Sequence, residues 1–189
     1  MTISAVCVFC GSSLGHRPDY VAASEELAEQ LLERDITLIY GGAHVGTMGT
    51  LADRMLSGGG RVIGVIPQAL VDIEVAHEGV TDLQIVPDMH ARKAAMAAQS
   101  DGFIALPGGL GTYEELFEVL TWAQLGFHQK PCGVVNVAGF YDGLANFLNH
   151  AASEGFMRQS HRDLLLADES ASALLDRFMV FRPVAESKL

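Results

Sequence analysis

The stretch FIALPGGLGTYEE, residues 103–115, joins three different patterns within one short segment. Residues 103–106 form an apolar run typical of a buried strand, and residues 112–125 show the spacing of an amphipathic helix. Pro107, Gly108 and Gly109 form a tight turn between them. A strand, a glycine-rich turn and a helix in this order predict one βα unit of a parallel sheet.

The same alternation extends along the rest of the chain. Further buried strands are predicted by apolar runs at residues 3–9, 37–40, 62–66 and 133–137. Helical patterns cover residues 20–34, 47–57, 89–100 and 141–154, and a last helix is expected over 171–178, capped by Asp168 or Ser170. Residues 67–87 show no clear periodicity. This order predicts the α/β class, as a single domain over 1–189 with a doubly wound, Rossmann-like parallel sheet and helices on both faces.

Composition and charge exclude several classes of protein. The 189 residues are 49% hydrophobic and 19% charged, which is too apolar for a disordered chain. No apolar run approaches the roughly 20 residues of a membrane-spanning helix, and no basic leader precedes the first strand, so we expect a cytoplasmic protein. A net charge of −11 argues against nucleic acid as a partner, because duplex binding needs a basic face.

Three cysteines are too few for a disulfide framework and are typical of a reducing compartment. Cys7 and Cys10 have the spacing of a redox motif but lie within an apolar run. Residues i and i+3 of a strand point to opposite faces, so core packing is the favoured interpretation of both cysteines.

Signatures of nucleotide cofactors, metals and serine hydrolases are absent from the sequence. The first turn does not match G-x-G-x-x-G, and the turn over residues 41–47 lacks the lysine of a P-loop. The seven histidines show no metal-ligand spacing, and Gly-x-Ser-x-Gly does not occur. We therefore predict no metal and no cofactor. A small anionic ligand remains compatible with the acidic chain, because backbone N–H groups bind phosphate.

The turn after residue 106 has two interpretations. Three glycines and a helix N-terminus together favour close approach of the backbone to an anion. Alternatively, Thr112 and Glu115 form a capping box that does no more than start the helix. Capping does not explain the run of Pro107, Gly108 and Gly109, which is costly in conformational entropy unless a ligand docks there.

Two charged residues stand in unusual contexts. Arg92 follows the predicted cap Asp88 and shares its helical face with Met89, so it is either an arginine lying over an apolar surface or a pocket residue. Glu74 lies in the long connection, where a solvated loop charge is the simpler interpretation.

Taken together, these motifs resemble the LOG (Lonely Guy) family of cytokinin riboside 5′-monophosphate phosphoribohydrolases, which are often labelled lysine decarboxylases. The resemblance covers most of the chain. It rests on PGGxGTxxE at residues 107–115, MHxRK at 89–93, CGSS at 10–13, YGG at 40–42 followed by GxMG at 46–49, and TWAQLG at 121–126. Leu110 and Tyr113 depart from the usual family residues, so base or ribose preference can differ.

The resemblance implies an activity and a set of site residues. The reaction is hydrolysis of the N-glycosidic bond of an adenosine 5′-monophosphate, N6-substituted or plain, which releases the base and ribose 5-phosphate. Arg92 and Glu115 correspond to the catalytic pair. The implied substrate contacts are Glu74, Lys93, Gly108, Gly109, Leu110, Gly111, Thr112, Tyr113, Glu114 and Thr121, and the neighbouring turns add Gly11, Ser12, Gly42 and Met89.

The resemblance also implies a homodimer, with a hexamer as the assembly of some family members, and it leaves two alternatives for the activity open. One is a general AMP nucleosidase, and the other is a carrier of a phosphorylated ligand, similar to molybdenum-cofactor carriers, that performs no catalysis. Decarboxylation of lysine needs a lysine that forms a Schiff base in a buried site. The chain has only Lys93, Lys130 and Lys188, and none stands in a convincing setting.

Overall fold

The structure, a computed structural model, describes residues 2–73 and 75–183. These residues form one seven-stranded sheet in which every pairing is parallel. The strands are β1 (Ala5–Phe9), β2 (Thr37–Tyr40), β3 (Val62–Pro67), β4 (Asp82–Val86), β5 (Gly102–Ala105), β6 (Cys132–Val135) and β7 (Leu165–Asp168). Their spatial order is β4-β3-β2-β1-β5-β6-β7. The predicted doubly wound parallel sheet is confirmed.

Helices cover both faces of the sheet. They are α1 (Pro18–Glu33), α2 (Gly46–Ser57), α3 (Gln68–Val71), α4 (Met89–Gln99), α5 (Leu110–Gln124), α6 (Asp142–Ser153), α7 (Gln159–Arg162) and α8 (Ala171–Met179). α1, α2 and α8 pack on one face, and α4, α5 and α6 pack on the other. Each face has its own apolar core, which explains why the central strands are apolar throughout.

The alternation of side chains along β1 and into the residue after it separates Cys7 from Cys10. Cys10 belongs to the core under α1 and α2, whereas Cys7 belongs to the core under α4 and α5. Both are buried and free, as is Cys132. The interpretation of the Cys7 and Cys10 pair as core residues is confirmed.

The two edge strands were not predicted. Residues 67–87 contain α3 and β4, and β4 alternates polar Asp82 and Gln84 with apolar residues because it pairs on one side only. β7 is also an edge strand, with only Leu165 buried. Asp168 ends this strand, and the cap of α8 is Ser170, whose hydroxyl accepts a hydrogen bond from Ala173 N–H. Short edge strands give a weak periodic signal, which is why β4 and β7 were missed. The interpretation of residues 67–87 as a long connection was therefore wrong for α3 and β4.

The chain reverses its winding direction between β1 and β5. β2, β3 and β4 lie on one side of β1, whereas β5, β6 and β7 lie on the other. The crevice at the carboxyl ends of such a pair is the usual ligand site of open α/β sheets. Here it is bounded by the turns that follow β1, β2 and β5.

Candidate active site

The turns after β1 and β5 pack against each other through glycines. A Cβ atom on Gly108 would lie 2.1 Å from Thr112 Oγ1 and 3.1 Å from the amide nitrogen of Gly11. Thr47, at the start of α2, fixes the first turn, since its hydroxyl accepts from Gly11 N–H and donates to Gly11 C=O, both at 3.1 Å. These contacts join the turns after β1 and β5 to each other and to the start of α2.

α5 begins earlier than the capping-box interpretation requires. Its first helical residue is Leu110 and its N-cap is Gly109, without a side-chain hydrogen bond. Thr112 and Glu115 are therefore both inside the helix and buried, with Glu115 in the second turn. The capping-box alternative for Thr112 and Glu115 is wrong. Glu115 needs another reason to be buried.

That reason lies on α4. Asp88 caps α4 as predicted, with its carboxylate accepting from Ala91 N–H at 2.8 Å. One turn later, Arg92 is 8% exposed, and its Nη2 atom lies 3.5 Å from Glu115 Oε1. Arg92 is therefore a pocket residue. A Cβ on Gly41 would lie 2.0 Å from Arg92 Nη2, so the guanidinium packs directly on the turn after β2.

The hydrogen bonds of the Arg92–Glu115 pair are incomplete. The separation of 3.5 Å is long for a charge-assisted hydrogen bond. Among the described residues, Arg92 Nε is one of two buried side-chain polar atoms without a hydrogen-bond partner. Burial raises the pKa of the Glu115 carboxyl above its ordinary value, and the Arg92 guanidinium opposes that rise. An unpaired buried donor beside a buried carboxyl favours a ligand that completes the hydrogen bonds.

Arg92 and Glu115 face a cavity of about 380 Å³. Its other predicted lining residues are Ser12, Met89, Gly109, Leu110, Gly111, Thr112 and Glu114. The predicted residues Gly11 and Gly108 line a smaller cavity of about 200 Å³ that shares Ser12 and Gly109 with the first. The structure thus brings most of the predicted residues together around one crevice.

Four predicted residues line neither cavity, and a fifth is not among the described residues. Gly42 packs against Ile66 with a positive φ of 75°, and Tyr113 packs against the core under α5. Thr121 is exposed, and its hydroxyl donates to Phe117 C=O at 2.7 Å. Lys93 makes ion pairs with Glu114 and Glu118. Glu74 lies outside the described residues.

Sequence reasoning missed the apolar wall of the cavity. Leu70, Ile73 and Val75 come from the connection after β3, and Val45 and Met48 come from the start of α2. The connection is fixed to the turn after β2, because Val75 C=O accepts from His44 N–H at 3.0 Å and Gly42 C=O accepts from His77 N–H at 2.8 Å. Nothing in the aperiodic stretch 67–87 signals this pairing, which depends on the tertiary fold.

Comparisons with known proteins agree with this arrangement. A family model described as "Possible lysine decarboxylase" matches residues 48–178. A probable cytokinin riboside 5′-monophosphate phosphoribohydrolase of Oryza sativa subsp. japonica is 49% identical over 177 residues, covering 94% of this chain and 84% of that protein. The corresponding enzyme LOG1 of Arabidopsis thaliana is 47% identical over 178 residues, with the same coverage.

The chain belongs to the LOG family. Solved structures with the same fold include the molybdenum-cofactor carrier protein of Chlamydomonas reinhardtii, with a TM-score of 0.70 at 17% identity over 95% of this chain and 100% of that chain. A molybdenum cofactor binding protein of Rippkaea orientalis has a TM-score of 0.70 at 18% identity, over 95% and 98%. At these identities the likeness concerns the fold alone.

The lysines of this LOG protein do not suit the decarboxylase name of the family model. Lys93 is bound to two carboxylates, and Lys130 Nζ donates to Ala97 C=O at 2.7 Å. Neither lines the cavity. Lys188 lies outside the described residues.

Proposed function

We propose that this LOG protein hydrolyses the N-glycosidic bond of adenosine 5′-monophosphates, with preference for N6-substituted bases, and releases the free base and ribose 5-phosphate. The observation that carries the proposal is the buried Arg92–Glu115 pair, which faces the cavity beside the N-terminus of α5. Support also comes from relatives that are nearly half identical over almost the whole chain and bear the name of this activity.

The phosphate end of the cavity is the start of α5. The first N–H groups of a helix have no partner within the helix and carry partial positive charge. Gly109 and Gly111 leave open space there, since a Cβ on either would meet nothing within 4 Å. We assign the 5′-phosphate to this space, held by Gly108, Gly109, Gly111 and Thr112.

The reaction takes place at the charged pair. Cleavage of an N-glycosidic bond passes through an oxocarbenium-like state, which a carboxylate near C1′ stabilises. Glu115 supplies that carboxylate and directs water to C1′, and burial, which raises its pKa, makes it a stronger base than an ordinary glutamate. Arg92 stabilises negative charge on the departing purine. Glu114, at the exposed edge of the cavity, holds the ribose hydroxyls.

The opposite wall supports the preference for N6-substituted bases. Leu70, Ile73 and Val75 present apolar side chains to the cavity, and Ile73 is 65% exposed. An apolar substituent on N6 would bury this surface, whereas plain adenine would leave it exposed.

Base release from three substrates tests the proposal. The purified protein is incubated with N6-isopentenyladenosine 5′-monophosphate, its riboside and AMP, beside an Arg92→Ala variant and an Arg54→Ala control on the surface. We expect release from the monophosphates but not the riboside, faster for the prenylated substrate, and loss in Arg92→Ala alone. Equal release from both monophosphates would indicate a general AMP nucleosidase. Binding without release from any substrate would indicate a carrier.

We further propose that residues 1–189 act as one nucleotide-binding hydrolase domain and assemble as a homodimer in the cytoplasm. One continuous sheet supports the single domain, and three free buried cysteines fit a reducing compartment. No helix among residues 2–73 and 75–183 has the length and hydropathy to cross a membrane.

The dimer is supported by exposed apolar surface. Exposed Leu125 and Phe127 after α5 offer such surface for a second copy. Light scattering should give twice the chain mass of 20.2 kDa, and a monomer mass would contradict the dimer.

No group of three or more histidines, cysteines or carboxylates among the described residues is placed to hold a metal ion. The proposed mechanism uses only side chains and backbone groups of the chain.

A further inference from the structure

A second set of charges lies behind the Arg92–Glu115 pair. Lys93, the next residue on α4, hydrogen-bonds through Nζ to Glu114 Oε1, and the same nitrogen lies 3.0 Å from Glu118 Oε1 on α5. The Lys93 side chain is 11% exposed and that of Glu118 is 25% exposed. One nearly buried ammonium group therefore joins two carboxylates from consecutive turns of α5, of which Glu118 is the more buried and Glu114 is 53% exposed.

This arrangement differs from the role that the family resemblance implies for Lys93. An ammonium group has three donors, and two of them are directed at carboxylates. Lys93 does not line the cavity, whereas its neighbour Arg92 does. Both carboxylates belong to α5, so the main contacts of the Lys93 side chain are with that helix.

We propose that Lys93 and Glu118 are positioning residues, which clamp α4 to α5 so that Arg92 and Glu115 face each other across the cavity. The proposal rests on the proposed function of that pair. Lys93 is adjacent to Arg92 in the chain, and Glu118 follows Glu115 by three residues on the same helix. Both helices also pack in the apolar core on that face of the sheet, and these ion pairs join them beside Arg92–Glu115.

The clamp also sets the charge around Glu115. The groups that interact electrostatically with it are Arg92 and Lys93 on α4, Glu114 and Glu118 on α5, the thiol of Cys7 on β1 and the thiol of Cys10 directly after β1. Burial is the main reason for its raised pKa. Arg92 and Lys93 lower that pKa, whereas Glu114 and Glu118 raise it. Removal of Lys93 should therefore raise the Glu115 pKa further, and removal of the Glu118 charge should lower it.

Two variants with opposite electrostatic effects test the clamp. Lys93→Met removes the cation, and Glu118→Gln keeps the shape and an acceptor but removes the charge. Glu29→Gln is the matched control, because Glu29 also accepts from a cation on another helix, Arg54 at 3.0 Å, far from the cavity. For each protein, kcat and KM for N6-isopentenyladenosine 5′-monophosphate are measured across pH.

We expect kcat to fall about tenfold or more in both variants, with KM held within about twofold. The acid limb of the kcat profile should move to higher pH in Lys93→Met and to lower pH in Glu118→Gln, and Glu29→Gln should match the wild type. A rise of KM for the monophosphate in Lys93→Met, with kcat and the acid limb unchanged, would overturn the clamp and make Lys93 a substrate contact.

A second readout separates failure of the clamp from failure of the proposed function. Wild-type base release in the same assay tests the function. Carboxyl ¹³C NMR titration of Glu115 in the folded wild type and both variants tests the clamp without any turnover. Opposite displacements of the Glu115 titration support the clamp, and an identical titration in all three proteins would refute it.

Discussion

Gly108 and Gly111 stand in one short loop but lack side chains for different reasons. A Cβ on Gly108 would collide with Thr112 Oγ1, at 2.1 Å, so the protein's own packing requires glycine there. A Cβ on Gly111 would meet nothing within 4 Å, and its φ is not positive. The fold does not require glycine at position 111, whereas the proposed binding of a 5′-phosphate close to the backbone does.

Gly111→Ala should therefore stabilise the protein while it weakens substrate binding. The expected gain in the free energy of unfolding is about 0.5 kcal/mol, from reduced freedom of the unfolded chain. KM for the monophosphate should rise about tenfold or more, because a lost hydrogen bond to a charged group costs roughly 1.5–3 kcal/mol. Urea denaturation and steady-state kinetics measure the two effects.

Gly143→Ala is the control for this experiment. Gly143 occupies the same second position of its helix, α6, and a Cβ there would also meet nothing within 4 Å. This variant should gain similar stability without a change in KM. If Gly111→Ala also leaves KM unchanged, the phosphate does not bind at the start of α5.

The Glu115 carboxyl should make stability depend on pH. Because its pKa is raised in the folded chain, the folded chain binds more protons than the unfolded chain between the ordinary glutamate range and the raised pKa. Stability therefore falls as the pH rises through that window. Glu115→Gln removes this loss and keeps an acceptor for Arg92, so the variant should become more stable relative to wild type as the pH rises.

Urea denaturation of both proteins from about pH 4 to about pH 8 measures this difference. Glu29→Gln controls for the loss of one carboxylate at the surface. A difference between Glu115→Gln and wild type that stays constant with pH, or reverses, would mean that burial does not disfavour the Glu115 carboxylate.

At the scale of elements, α4 and α5 bring the proposed catalytic side chains together because of where each helix starts. Arg92 lies in the first turn of α4, directly after the cap at Asp88. Glu115 lies in the second turn of α5, which starts at the glycine turn. A change in either start would rotate or shift the side chain that follows it.

Loss of the α4 cap should weaken the protein measurably. Asp88→Ala removes the acceptor for Ala91 N–H and should cost about 1 kcal/mol of unfolding free energy. For a chain of this size the expected fall in Tm is about 2–4 °C. Asp88→Asn preserves a capping oxygen and should stay close to wild type in calorimetry. If Asn destabilises as much as Ala, the carboxylate acts through its charge and not as a cap.

Elements with strong periodicity could be predicted from the sequence. The central strands are apolar, namely β1, β2, β3, β5 and β6. Clear amphipathic patterns mark the helices α1, α2, α4, α5, α6 and α8. β4 and β7 could not be found, because an edge strand with polar residues such as Asp82 and Gln84 has no distinctive pattern. The start of α5 was misplaced because Thr112 and Glu115 have capping-box spacing, although the helix begins at Leu110.

At the scale of the whole molecule, the site exists because the winding of the sheet reverses beside β1. This reversal places the turns after β1, β2 and β5 at one edge, where Gly11, Gly41 and Gly108 permit close packing. Arg92 and Glu115 could be named from the motifs at 89–93 and 107–115. Their mutual burial and the apolar wall of Leu70, Ile73 and Val75 depend on contacts between distant segments, which one sequence does not reveal.

Because the site is formed by segments distant in sequence, ligand binding should increase global stability. Ribose 5-phosphate at about 100 times its Kd should add about 2.7 kcal/mol to the free energy of unfolding. The corresponding rise in Tm is about 5–10 °C for a domain of this size. Ribose without phosphate, at the same concentration, is the control. Equal effects of the two sugars in calorimetry would contradict phosphate recognition at the start of α5.

The most direct test of the mechanism is kcat of Glu115→Gln for N6-isopentenyladenosine 5′-monophosphate. The substitution keeps size and hydrogen bonding but removes the charge that stabilises the oxocarbenium-like state. We predict a fall in kcat of about 10²–10³-fold with KM nearly unchanged, because the lost interaction belongs to the transition state. Glu29→Gln should retain wild-type kcat. Wild-type kcat in Glu115→Gln would contradict the assignment of the Arg92–Glu115 pair as the catalytic centre.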